Sequence, residues 1–252
     1  MTPLPWPDEP ALCPYAAAQS LPARRLLVLA PHPDDEVLGC GGLMAAMLAA
    51  GAAVQVVIVS DGGLGGDAAL RESESRAATR VLAGQGAEPE LLFWRLPDRQ
   101  LVMWPDLALR VQAQIARFEP DCVLMPSMFE VHPDHRALFR AGIQAMATAG
   151  LQAQLLLYEV GQALLPDLLI DITPQVECKR QALQCFGSQL PQQAYDEQIM
   201  GLNRYRAYTL GPRVTHAEAF MQVPVADRRS GLTAVLRTID RRMRQRFGLP
   251  PA

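Results

Sequence analysis

Leu26-Leu27-Val28-Leu29-Ala30-Pro31-His32-Pro33-Asp34-Asp35-Glu36 is an apolar run that ends in one imidazole and three carboxylates. The unbroken apolar segment, Leu26–Ala30, has the pattern of a central parallel strand buried on both faces. Polar groups at this density at a strand's carboxyl end are costly to bury without a partner. A divalent metal is the simplest partner, because it neutralises carboxylates and accepts imidazole nitrogen. Gly39-Cys40-Gly41-Gly42 follows, and its small residues predict close packing of a helix on the sheet, with Cys40 as filler.

A second tetrad, His132-Pro133-Asp134-His135, follows another apolar run, Cys122–Met125. The chain has four histidines, and three lie in these tetrads, which argues for one site built from two loops. Between and beyond the tetrads, short apolar runs alternate with helical stretches. Strands are expected at Val54–Ser60, Leu91–Arg95, Leu155–Tyr158, Leu168–Ile172 and Ala219–Val223. Helices are expected at Val37–Ala50, Arg71–Ala83, Leu107–Phe118, Asp134–Ala149, Pro174–Phe186, Gln193–Tyr208 and Leu232–Phe247. Gly51, Gly84 and Gly150 supply stop signals. The alternation predicts an α/β fold: a Rossmann-like, mostly parallel sheet with helices on both faces. Ligands in such sheets bind beyond the carboxyl ends of the strands, which is where both tetrads fall.

Length and composition set the wider frame. The 252 residues suit one large domain with an extended arm over residues 1–22, a body over 23–225, and a basic helix and tail over 226–252. The arm is broken by Pro3, Pro5, Pro7, Pro10, Pro14 and Pro22. A net charge of −3 gives no hint of a nucleic-acid binder. The five cysteines are odd in number, scattered, and form no C-x-x-C pair, as in a reducing compartment. No apolar stretch approaches the roughly 18–20 residues of a membrane span, and the amino-terminal stretch lacks the basic start of a secretory signal. A cytoplasmic protein is expected. In the last helix, residues 232, 235, 236, 239 and 243 form one apolar face, which predicts docking on the body or on a second copy, so a homo-oligomer is left open.

Within each tetrad the spacing suggests chemistry. If Pro33 and Pro133 open helices, His32 faces the same way as Asp35, and His132 the same way as His135. Two histidines and a carboxylate, with a fourth position for water, compose a catalytic zinc site. Asp34 is placed as the carboxylate beside that water, and one histidine is left over for the oxyanion or leaving amine. Side-chain capping by Asp34 and Asp134 explains one acid per helix, but neither the remaining carboxylates nor the imidazoles.

These residues resemble the PIG-L/LmbE-like family of zinc-dependent N-acetylglucosaminyl deacetylases, whose signature is A-H-P-D-D-E after the first strand and H-P-D-H after a later one. Here Pro31 stands between Ala30 and His32. Ser60-Asp61-Gly62, Arg71-Glu72-Ser73-Glu74, Asp171-Ile172-Thr173 with Lys179 and Ser188-Gln189, and Ala217-Glu218-Ala219-Phe220 resemble further family segments, so the likeness spans about residues 25–223. The resemblance implies zinc held by His32, Asp35 and His135, with Asp34 as general base. It implies that His132 stabilises the oxyanion, with Asp134 orienting it and holding it cationic. Arg71 resembles an arginine that grips sugar hydroxyls. Asp98 in Leu96-Pro97-Asp98 is a further substrate-binding candidate. Glu130 stands where some relatives carry a tyrosine with a role in the reaction, and is expected to contact substrate instead. Iron(II) accepts the same donor set.

The expected function is release of acetate from an N-acetylglucosamine-type amino sugar carried on a small-molecule conjugate. Two competing readings remain. One is a zinc amidase that cleaves another amide, such as an S-conjugate, and releases a larger acid. The other is a non-catalytic sugar-binding or scaffold protein that shows no turnover.

Overall fold

The computed structural model describes residues 9–149 and 152–250. A four-residue helix, α1 (Glu9–Leu12), precedes β1 (Arg25–Ala30), α2 (Asp35–Ala49), β2 (Ala53–Ser60), α3 (Ala68–Ala83), β3 (Glu90–Leu96), α4 (Leu107–Phe118), β4 (Cys122–Pro126), α5 (Pro133–Ala149) and β5 (Gln154–Tyr158). Then come β6 (Leu168–Asp171), α6 (Val176–Leu183), α7 (Tyr195–Arg206), β7 (Ala217–Gln222), α8 (Val225–Arg229) and α9 (Leu232–Arg246). The seven strands form one sheet in the order β3-β2-β1-β4-β5-β7-β6. The first five are parallel, and β7 runs antiparallel between β5 and β6. This is the expected mostly parallel α/β sheet.

Alternation along the strands divides the core in two. Leu26, Val28 and Ala30 pack with Val37, Leu43 and Leu183 on one face. Leu27 and Leu29 pack with Val111, Ile115 and Leu138 on the other. Strand order reverses after β3, so β1 and β4 are neighbours whose connections leave in opposite directions. The crevice opened there at the carboxyl ends is where such sheets bind ligands. Both tetrads border it, one after β1 and the other after β4.

The glycine segment packs as expected. A Cβ on Gly39 would stand 2.4 Å from the Tyr158 ring, and one on Gly42 would stand 2.6 Å from Ile172. Only hydrogen at these positions lets α2 lie so close to the sheet.

Several expectations need correction. Helix α2 begins at Asp35, not at Pro33, because Asp34 holds φ at 133°, outside the helical range. Pro133 does open α5, while the Gly150 stop lies outside the described residues. The helix expected over 174–186 is divided into a 3₁₀ turn, Thr173–Gln175, followed by α6. The arm is not wholly extended: α1 forms with Pro10 in its first turn, where proline is tolerated. Its Pro3, Pro5 and Pro7 lie outside the described residues. Ala18 bonds Leu169 and Asp171 along the outer side of β6, which covers an edge strand. Helix α9 docks on the body, with Val235 and Ile239 buried in the second core.

Candidate metal centre and catalytic site

A cleft of about 530 Å³ opens beyond the ends of β1 and β4, and all three tetrad histidines line it. The ring centroids of His32, His132 and His135 lie 4.5–5.4 Å apart. Asp35 sits among them. Its Oδ2 is 3.1 Å from His32 Nδ1 and 3.1 Å from His135 Nε2, and it also accepts the His32 backbone N–H at 3.0 Å. The two loops therefore meet on one carboxylate oxygen.

The outward nitrogens of both rings also face carboxylates. His32 Nε2 is 3.3 Å from Asp134 Oδ2 and 3.3 Å from Asp98 Oδ1. His135 Nδ1 is 3.4 Å from Glu130 Oε2. Burial alone would lower both imidazole pKa values, but these carboxylates overcome it. They hold His32 well above the ordinary range and push His135 up to about 9. For Asp35, burial is outweighed by the two imidazoles, and the carboxyl is held well below its usual range.

This donor set fits a divalent ion on three counts. Ligand atoms about 2.1 Å from a tetrahedral ion stand roughly 3.4 Å apart, close to the 3.1 Å separations around Asp35 Oδ2. The surrounding carboxylates call for two positive charges at one point, which two imidazolium rings or one divalent ion supply. Ligating histidines of metal sites commonly turn the other nitrogen to a carboxylate, a carbonyl or water, and His32 and His135 both face carboxylates here. Two overlapping groups also bring potential ligand atoms within 4.8 Å of one another: His32 with His132 and His135, and His32 with Asp98 and Asp134.

Asp34 stands beside this centre and caps α2 with its backbone, not its side chain. Its N–H donates to Glu36 Oε2 at 2.9 Å, so the acid that follows the tetrad pins the strained turn. The carboxyl group is thereby turned into the cleft, where Oδ2 accepts from Arg71 at 2.8 Å. Burial pushes the Asp34 pKa up to about 7, with the Asp35 charge adding to the rise and Arg71 opposing it. Such a carboxyl is poised to exchange a proton near neutrality.

Three assignments change in the structure. Arg71 donates to Gly62 O, Pro33 O and Asp34 Oδ2, so its terminal nitrogens are engaged by protein and it braces Asp34 instead of offering a free sugar grip. Asp134 does not hold the His132 ring. Its carboxylate accepts from Arg99 N and Leu101 N and faces His32, and only its backbone N–H reaches His132 Nδ1, at 3.2 Å. His132 is consequently not held cationic: burial pushes its pKa down, the two neighbouring imidazoles add to this, and Asp134 only partly opposes it. The bond accepted at Nδ1 assigns the neutral ring's proton to Nε2. Glu130 is buried, accepts from Val160 N and Gly161 N, and turns its remaining reach to His135. Asp98 likewise serves His32, and its other oxygen accepts Leu64 N at 3.2 Å.

The remaining family-like segments build the surroundings. Glu74 accepts from Ser188 N and Oγ, tying α3 to the segment after α6. The glycine-rich loop after β2 is fixed from both sides: Asp61 accepts Gly63 N and Asp98 N, while Gln189 and Gln192 both donate to Gly65 O. Lys179 and Glu218 form a buried ion pair beneath α2. Sequence reading missed Tyr195 and Gln198, which line the mouth of the cleft. No motif marks them, and only the helical spacing from Tyr195 to Gln198 and Ile199 hints that they share a face.

Comparison with known proteins agrees with this geometry. Residues 27–146 match the sequence model of PIG-L, the GlcNAc-PI de-N-acetylase family. Diacetylchitobiose deacetylase of Thermococcus kodakarensis is 27% identical over 197 residues, covering 69% of this chain and 73% of that protein. The crystal structure of a conserved protein from Thermus thermophilus superposes with a TM-score of 0.71 at 28% identity, covering 79% of this chain and 94% of that one. The N,N'-diacetylchitobiose deacetylase of Pyrococcus horikoshii, solved with an inhibitor, superposes with a TM-score of 0.68 at 23% identity, covering 81% and 85%. With both tetrads on one cleft and this fold around them, the chain is similar to the PIG-L/LmbE-like N-deacetylases.

Proposed function

We propose that this chain is a metal-dependent hydrolase that removes the acetyl group from an N-acetylated amino sugar carried on a larger conjugate. The observation that carries the reading is Asp34. It is a carboxyl with a pKa of about 7, braced by Arg71, on the same cleft wall as the His32–Asp35–His135 cluster. His32, Asp35 and His135 are the ligands. Zinc fits their number and type, and iron(II) is the alternative ion. A bound divalent ion supplies Lewis acidity and a water of depressed pKa.

The chain's own residues do the rest. Arg71 occupies Asp34 Oδ2, which leaves Oδ1 to take the proton of the attacking water. His132 presents Nε2–H to the developing oxyanion or the leaving nitrogen, and the Asp134 backbone N–H on Nδ1 keeps that tautomer. Asp98, Asp134 and Glu130 orient the ligand imidazoles and touch no substrate. The test is acetate release from a panel of N-acetylglucosamine conjugates by zinc-loaded protein. Release by wild type and its loss in Asp34→Asn supports the reading. No release from any conjugate contradicts it.

A further inference from the structure

The chemistry of the cleft mouth differs from that of its floor. The charged groups of the lining are Asp34, Asp35, Asp98 and Glu130 against Arg71 and Arg99, and all but the exposed Arg99 are buried on the floor. Four carboxylates against two guanidiniums leave a deficit that one divalent ion cancels, so the loaded cleft holds no surplus positive charge to draw in a phosphate. Apart from Arg99, the exposed residues of the lining are uncharged. Leu64 is 71% exposed and Val131 is 72% exposed, and both line the cleft. Helix α7 contributes Tyr195, Gln198 and the buried Ile199 from its first turns. Positions i, i+3 and i+4 share one helix face. The acids of the same turn, Asp196 and Glu197, are absent from the lining, and Asp196 accepts from Gln184, just after α6, instead. Among the described residues, neither the Tyr195 hydroxyl nor the Gln198 amide has a protein partner.

An exposed aromatic ring beside an unpaired amide is suited to a pyranose, whose C–H face packs on the ring while its hydroxyls pair with the amide. We propose that Tyr195 and Gln198 form an outer subsite for a second, uncharged sugar unit of the substrate. The proposal rests on the amino-sugar reading above and adds the class of the substituent.

The test is titration calorimetry on the zinc-loaded full chain carrying Asp34→Asn, so that ligand is not consumed. The probes are N-acetylglucosamine, N,N'-diacetylchitobiose and N-acetylglucosamine 1-phosphate. Both units of the disaccharide carry an N-acetyl group, so either end can present one to the metal centre. The disaccharide should bind about tenfold more tightly than the monosaccharide, the scale of one good aromatic contact, and the 1-phosphate should gain nothing. Adding Tyr195→Ala should close that gap, Tyr195→Phe should keep most of it, and Tyr208→Ala, outside the cleft, should leave it intact. Equal binding of mono- and disaccharide, a gap that survives Tyr195→Ala, or tighter binding of the 1-phosphate would overturn the subsite. A disaccharide preference that vanishes in Tyr195→Ala, with no acetate released by wild type, would uphold the subsite and overturn only the hydrolase reading.

Discussion

Replacing Lys179 by methionine removes one half of an ion pair that no water reaches. Lys179 is 0% exposed and Glu218 is 1% exposed, with Nζ 2.8 Å from Oε1. The same ammonium donates to Leu38 O and Asn203 Oδ1, both at 2.9 Å. Glu218 in turn accepts Gly42 N at 2.7 Å and Leu43 N at 2.8 Å. The pair thus joins α2, α6, α7 and β7 below the site. In Lys179→Met the carboxylate keeps two N–H donors but loses its counter-charge, and two acceptors lose their donor. Breaking one partner of a buried pair costs about 3–5 kcal/mol. For a domain of this size that lowers Tm by roughly 6–20 °C. Lys179→Met with Glu218→Gln removes both charges and should recover part of the loss, with a coupling of about 1–3 kcal/mol in the double-mutant cycle. Urea denaturation of the four proteins measures it. Single-mutant losses below about 1 kcal/mol, or a double mutant as unstable as the sum of the singles, would refute a buried pair that holds these elements together.

Three further outcomes follow from the site. Asp34→Asn should keep its metal and lose activity by about 10²–10⁴-fold; turnover at the wild-type rate would move the base elsewhere. Asp134→Asn weakens the carboxylate behind His32 and should lower metal affinity by about 10–100-fold in a chelator competition; an unchanged affinity would contradict the orienting role. Gly39→Ala places a methyl against the Tyr158 ring and should cost about 1–3 kcal/mol by overpacking, read by denaturant unfolding; a neutral result would mean that α2 does not need this close approach.

The fold was legible because its signals are local and repeated. The run Leu26–Ala30 and its counterparts are short, apolar and bounded by turn residues, and each became a strand within a residue or two. Helix ends were less legible where one residue's backbone decides: the φ of 133° at Asp34 delays α2 by two residues, and nothing in the letters His-Pro-Asp-Asp announces it. The membership of the site was legible because histidine is scarce and both tetrads lie at strand ends. The division of labour among its acids was not. Whether Asp134 serves His132 or His32, and whether Glu130 meets substrate or His135, depends on angles between loops that are about a hundred residues apart in some pairs and set only by packing. The Lys179–Glu218 pair shows the same limit. Each residue stood in a family-like segment, but only the folded chain reveals that they meet.

Metal analysis of purified wild type and single variants tests the centre most directly. About one divalent ion per chain is expected in wild type, largely lost in His32→Ala, Asp35→Ala and His135→Ala, and retained in Asp34→Asn and His132→Ala. Full occupancy in both His32→Ala and His135→Ala would contradict the metal centre. Loss in His132→Ala with retention in Asp35→Ala would replace the assigned ligands with the three-imidazole set.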